Sequence, residues 1–227
     1  MRRLTIAIDG PVSSGKSTIA RRLARELGYL YIDTGAMYRA VAWKVRALGL
    51  DPADAPAIAS AVENLDLVLR AGPAGNEIQV DGRDVTAELR TEEISQLASR
   101  ISTIPAVRDY LVARQKRMGA VGGVVMEGRD IQTVVLPNAD LKIFLSASTE
   151  ERARRRCAEL QARGVPANYE EVLRELQERD ARDSTRAHSP LRPADDAVTV
   201  DTTDLTIEQV IEKALARVRE RRGLDVL

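Results

Sequence analysis

Gly10 to Ser17 read GPVSSGKS, a glycine-framed loop ending in a lysine and a serine. The spacing fits G-x-x-x-x-G-K-[ST], a loop that wraps polyphosphate. Successive N–H groups of such a loop turn inward at phosphate oxygens, and the helix that follows adds partial positive charge at its N-terminus. Lys16 then reaches the β- and γ-phosphates of a nucleotide, and the Ser17 hydroxyl is placed to ligate Mg²⁺. The flanks agree. The apolar run LTIAID precedes the loop, and the helical pattern after it puts Ile19, Leu23 and Leu27 on one face. A glycine turn with a chance lysine needs neither flank.

If the phosphate is transferred, the chain must also hold an acceptor. An acceptor that is itself a phosphate is already anionic, so it needs cations more than a general base. Arginine suits this work through its fixed fork of donors and permanent charge. Arg39 in DTGAMYR and Arg129 in EGRD each follow the end of an apolar run. Open α/β sheets bind ligands at that end of their strands. A denser group, Arg152, Arg155, Arg156, Arg179, Arg182 and Arg186, flanks the Gly- and Pro-containing ARGVPANYEE, the text of a hinged lid over about 149–169. Without ligand these like charges repel and are best solvated. Some belong to a solvated helix face with i,i+4 pairs, and spacing alone does not say which turn inward.

These side chains need a scaffold. Five short runs, LTIAID, LYID, GVVMEG, LKIFLSA and AVTVDTT, read as buried parallel strands separated by helical text. That alternation predicts a doubly wound α/β fold with a five-stranded parallel sheet. Ser148 with Glu151, and Thr206 with Gln209, have capping-box spacing at two helix starts. Between the second and third strands, LDLVL and EIQV joined across RAGPAGN predict an antiparallel hairpin, and VDGRDV a third strand beside it. Helical text (TEEISQLASR, VRDYLVARQKRM) follows, with Trp43 as the anchor of this inserted part. The expected organisation is one domain: a core over about 1–35, 120–148 and 170–227, an insertion over about 36–119, and the lid.

Composition narrows the chemistry. Lys plus Arg equals Asp plus Glu at 34 each, so no global field draws in a nucleic acid. Aromatics at 3% are too few for a single-strand stacking track, which removes DNA-dependent ATPases. No Asn-Lys-x-Asp motif occurs, so a GTP switch drops out as well. One cysteine, Cys157, excludes an internal disulfide, and with one histidine a His/Cys zinc site is not available. His188 reads as a surface residue. No apolar run is long enough to span a bilayer, and MRRLTIAIDG carries no cleavable signal pattern, so the cytoplasm is the expected compartment. The even charge and absence of heptads lean towards a monomer. What remains is phosphoryl transfer to a small acceptor such as a nucleotide or shikimate, or a binding protein that has kept this fold and lost turnover.

The segments IAIDGP…GKST, YIDTGAMYRA, EGRDIQTVV, KIFLSAS…ERARRR and RDARDSTRAHSPL, in that order, resemble bacterial cytidylate kinase, one of the nucleoside monophosphate kinases of the P-loop class. DTGAMYR, GRD and the arginine-rich tail carry the resemblance, because the phosphate loop is shared with many enzymes. It implies ATP-dependent phosphorylation of CMP and dCMP with Mg²⁺, ATP and the acceptor nucleotide being the small-molecule partners. By resemblance Gly10, Pro11, Val12, Ser13, Ser14, Gly15, Lys16, Ser17 and Thr18 hold ATP. Arg39, Arg129 and Arg186 meet the CMP phosphate, with Thr34 and Tyr38 beside the nucleotide. Ser99, Arg108 and Asp130 read the cytosine, and Arg179 and Asp183 the sugar. Lys16, Arg129, Arg186 and Arg155 are the catalytic set it implies. One position departs: the family often has glycine where this loop has Ser13.

Overall fold

The computed structural model describes residues 3–72, 75–186 and 188–223. In chain order, β1 (Thr5–Asp9) leads through the phosphate loop into α1 (Lys16–Leu27), and β2 (Leu30–Asp33) passes directly into α2 (Thr34–Ala47). Then come α3 (Ala55–Glu63), β3 (Leu67–Gly72), β4 (Gly75–Val80), β5 (Arg83–Asp84), α4 (Glu92–Ile101) and α5 (Pro105–Gly119). The chain returns through β6 (Val124–Gly128) and β7 (Leu141–Ser146), and finishes with α6 (Thr149–Ala162), α7 (Tyr169–Thr185), β8 (Val198–Asp201) and α8 (Ile207–Arg222).

The five runs read as strands pair in parallel in the order β2-β6-β1-β7-β8. The register brings Asp9 level with Gly128, and Asp33 level with Glu127, so three carboxylates gather at the carboxyl edge of the sheet. The pleat sorts the core. Ile6 and Ile8 face one side, where Leu23 of α1 and Val210, Ile211 and Ala214 of α8 cover them. Ala7, Ile32 and Met126 face the other, against Ile131 and Val135 of a short π-helical turn.

The insertion packs its own core. Trp43 of α2 is buried there with Ile58, Ile78, Val80, Ile94 and Leu111, and its indole N–H donates to Glu88 Oε2 at 2.7 Å. The hairpin pairs from Leu67↔Val80 to Gly72↔Gly75, tighter than the sequence reading, and its remaining connection, 73–74, lies outside the described residues. The third strand is the two-residue β5. Thr206 and Gln209 form a full capping box. Ser148 makes only its half, accepting from the Glu151 N–H at 3.2 Å, because the Glu151 carboxylate is drawn off to Arg154 and Arg155. Among the described residues no helix is long and apolar enough to cross a membrane, and His188 is exposed.

Candidate active site

A cleft of about 680 Å³ opens over the carboxyl edge of the sheet, walled by the phosphate loop, the insertion and the α6–α7 arm. The loop's shape is dictated by its backbone. Gly10 takes φ +151°, and a Cβ there would stand 2.0 Å from the Leu145 carbonyl oxygen, so only glycine fits. Gly15 takes φ +90° with open space around it, so there the requirement is conformation alone. Ser13 also sits in the left-handed region, at φ +60°. That geometry costs a non-glycine residue about 1 kcal/mol. Ser13→Gly is therefore expected to raise stability by roughly 0.5–1 kcal/mol. Urea denaturation checks this, and an unchanged or lower midpoint would show that the serine side chain offsets the strain.

Lys16 opens α1 only 6% exposed, its ammonium donating to the Pro11 carbonyl oxygen at 2.5 Å. Burial, then the neighbouring Arg129 guanidinium, pulls its pKa well below the ordinary lysine value. Facing it is Glu127, buried at the end of β6, which accepts from the Tyr31 hydroxyl at 2.5 Å. Burial, then the Asp33 carboxylate, raises the Glu127 pKa. Asp9, fully buried, accepts from the N–H groups of Ile131 and Gln132 at 3.0 and 2.8 Å. Burial raises its pKa to about 7. It clamps the backbone just after the Gly-Arg-Asp segment.

The expected acceptor residues, Thr34 through Arg186, all border this one cleft. Asp33 caps α2 by accepting from the Ala36 N–H at 2.9 Å, and its other oxygen pairs with Arg39 at 2.9 Å. Thr34 is buried and gives its hydroxyl proton to the Glu127 carbonyl oxygen at 2.7 Å. Tyr38 lies under the Arg108 guanidinium, 5.9 Å from its ring centre, with a buried hydroxyl that has no hydrogen-bond partner among the described residues. Arg108 and Asp130 form a buried ion pair, and Arg186 approaches the other Asp130 oxygen at 3.9 Å. Ser99 accepts from Arg182 at 2.8 Å. Arg129 pairs with Asp183 at 3.0 Å. Burial alone would raise the Asp183 pKa, but Arg129 and Arg179 hold it below the usual carboxylate value. Burial, then Arg129, lowers Arg179 to about 10. A set of arginines compressed this tightly, with their acids outnumbered, is a site prepared for anions.

One residue of the implied catalytic set is placed elsewhere. Arg155 does not border the cleft: it binds Glu151 at 3.0 Å and the Thr202 carbonyl oxygen at 2.6 Å, at the end of β8. The helical turn that sends Arg156 into the cleft sends Arg155 the other way. The arginines of α6 are not bare charges either. Arg152 is buried on Asp180, with N–O contacts of 2.5 and 3.2 Å, and Arg156 pairs with Glu92 of the insertion and with Glu159. Asp9, Asp33, Glu127 and Glu92 were not singled out from sequence. For Glu127 there was a signal: an acid closing the apolar run VVM at the carboxyl end of a strand beside the phosphate loop.

A family model described as cytidylate kinase matches residues 6–220. The chain is 49% identical over 222 residues to a cytidylate kinase of Geobacillus kaustophilus (strain HTA426), covering 98% of this chain and 99% of the relative. It is 50% identical over 224 residues to one from Carboxydothermus hydrogenoformans (strain ATCC BAA-161 / DSM 6008 / Z-2901), covering 99% and 100%. An uncharacterized protein from Eubacterium ventriosum ATCC 27560 has a similar fold, with TM-score 0.51 at 10% identity over 96% of this chain and 99% of that one. With a phosphate loop and an arginine-lined acceptor wall sharing one cleft, and with relatives at half identity along the full length, the chain belongs to the cytidylate kinase family.

Proposed function

We propose that the protein transfers the γ-phosphoryl group of ATP to CMP and dCMP, giving CDP and dCDP. The observation that carries this reading is the buried Arg108–Asp130 pair, set across the same cleft from the phosphate loop. Cytosine offers an exocyclic amine, which Asp130 and the Ser99 hydroxyl can accept from, and ring acceptors that Arg108 can satisfy. Arg39, Arg129 and Arg186 hold the acceptor phosphate, and Arg179 and Asp183 hold the sugar. The loop N–H groups and Lys16 hold the donor, so the two phosphates meet at the edge of the sheet with their repulsion offset by fixed guanidinium groups. Ser17 and Glu127, which both border the cleft, are a hard-oxygen pair suited to Mg²⁺, which when bound would neutralise charge on the β- and γ-phosphates. A coupled assay with ATP and each of CMP, dCMP, UMP and AMP tests the reading. Preferential turnover of the two cytidylates supports it, and turnover of none, or of all alike, overturns it.

We also propose that residues 149–169 act as a lid, with Arg156 exchanging Glu92 for phosphate as ATP binds. The Glu92 and Glu159 carboxylates keep that guanidinium neutralised until the phosphates arrive. Hydrogen exchange should show strong new protection in 149–169 when a bisubstrate analogue is added. Equal exchange with and without the analogue would rule out a lid.

A further inference from the structure

Among the described residues β2 is an edge strand of the main sheet, paired only with β6. Its outer edge carries backbone groups that need partners. They find them in one side chain of the insertion. Asn76, near the start of β4, donates from Nδ2 to the Tyr31 carbonyl oxygen at 2.8 Å, and its Oδ1 accepts from the Asp33 N–H at 2.7 Å. A single carboxamide thus fills the two slots that a neighbouring strand would fill.

Position gives this contact its interest. Asp33 is the residue whose carboxylate both caps α2 and pairs with Arg39. Two hydrogen-bonded steps therefore join Asn76 to Arg39. A small cavity of about 30 Å³ is bordered by Asn76, Tyr31, Asp33 and Arg39, and Arg39 also borders the main cleft. The Arg39 Nε is buried with no partner among the described residues, a donor left over for a ligand or a water. Asn76 is not what attaches the hairpin: Ile78 and Val80, 0% and 1% exposed, bury it against α2 and α4. Its two polar contacts instead fix the backbone at the turn from β2 into α2, where the acceptor side of the cleft begins.

We propose that Asn76 is a positioning residue for the acceptor nucleotide, holding Asp33 and through it the guanidinium of Arg39. The inserted sheet then has a role in the reaction, as a brace on the free edge of the strand that presents the acceptor arginine. This rests on the reading of Arg39 as a ligand of the acceptor phosphate.

The test is a KM-against-kcat split in a double-mutant cycle. Asn76→Ala should raise KM for CMP about ten-fold while KM for ATP stays within about two-fold, the size of losing one or two positioned hydrogen bonds. In an Arg39→Ala background the same change should add little, because its effect passes through Arg39. Equal rises for both substrates, an unchanged KM for CMP, or full additivity with Arg39→Ala would overturn the proposal. If Arg39→Ala alone leaves KM for CMP untouched, the fault lies in the reading of Arg39. Should Asn76→Ala fail to fold, Asn76→Asp keeps the shape and the acceptor oxygen but loses the donor, and is expected to show the same CMP-selective rise. A wild-type KM for CMP in that variant also overturns the proposal.

Discussion

Lys16→Ala should give a folded protein whose phosphoryl transfer is slower by about 10³-fold or more. The size follows from where the ammonium sits. It is buried at the N-terminus of α1, where the helix end already favours an anion, and the proposed transfer assigns it the charge that develops as the phosphoryl group moves. Folding gains little from it. Burial and Arg129 both oppose its charge, so the pKa is held well below the ordinary lysine value. Alanine removes that desolvated cation and leaves Gly10 and Gly15, which set the loop's path, untouched. Thermal unfolding should therefore show an equal or higher midpoint alongside the lost turnover, measured at saturating ATP and CMP. Near-wild-type turnover would mean that another group carries the transferring charge. A collapse in stability would mean that Lys16 is there for the fold.

The contrast between Lys16 and the arginines of α6 shows where a sequence can be read and where it stops. β1, β6 and β7, inside the sheet, were legible because a strand covered on both faces has to be apolar almost throughout. The edge strand β8 leaves Thr199 and Asp201 exposed and reads instead through its alternating Val198 and Val200. The phosphate loop was legible because its glycines answer a local backbone requirement. Arg155 and Arg156 are adjacent and chemically identical, so nothing local separates them. Their directions are set by Thr202 at the end of β8 and by Glu92 in the insertion, partners 47 and 64 residues away in the chain. Asn76 was illegible for the same reason, since Tyr31 lies 45 residues before it. Ser13 is an intermediate case: its identity flagged a departure, but its left-handed backbone had to be seen.

Asp130→Asn should narrow the preference for CMP over UMP by at least about ten-fold, a shift of roughly 1.4 kcal/mol in differential transition-state binding. The aspartate is 4% exposed and presents only acceptors, one oxygen paired with Arg108 and the other approached by Arg186. Cytosine can donate an amine hydrogen to it. Uracil would set a carbonyl oxygen against a carboxylate with little water to separate them, and such an unmatched buried pair is costly. Asparagine changes the pattern, because its amide can turn an N–H towards uracil or an oxygen towards cytosine. The substitution also has a second, unselective effect. It strips the buried Arg108 of its counter-charge, and breaking a buried ion pair from one side typically costs about 3–5 kcal/mol. Both kcat/KM values should therefore fall, and the unfolding midpoint with them. The ratio of the two values within the variant cancels that common loss and isolates base recognition. A ratio unchanged from wild type, however weak the variant, would put the cytosine out of reach of Asp130 and move the base-reading site to another wall of the cleft.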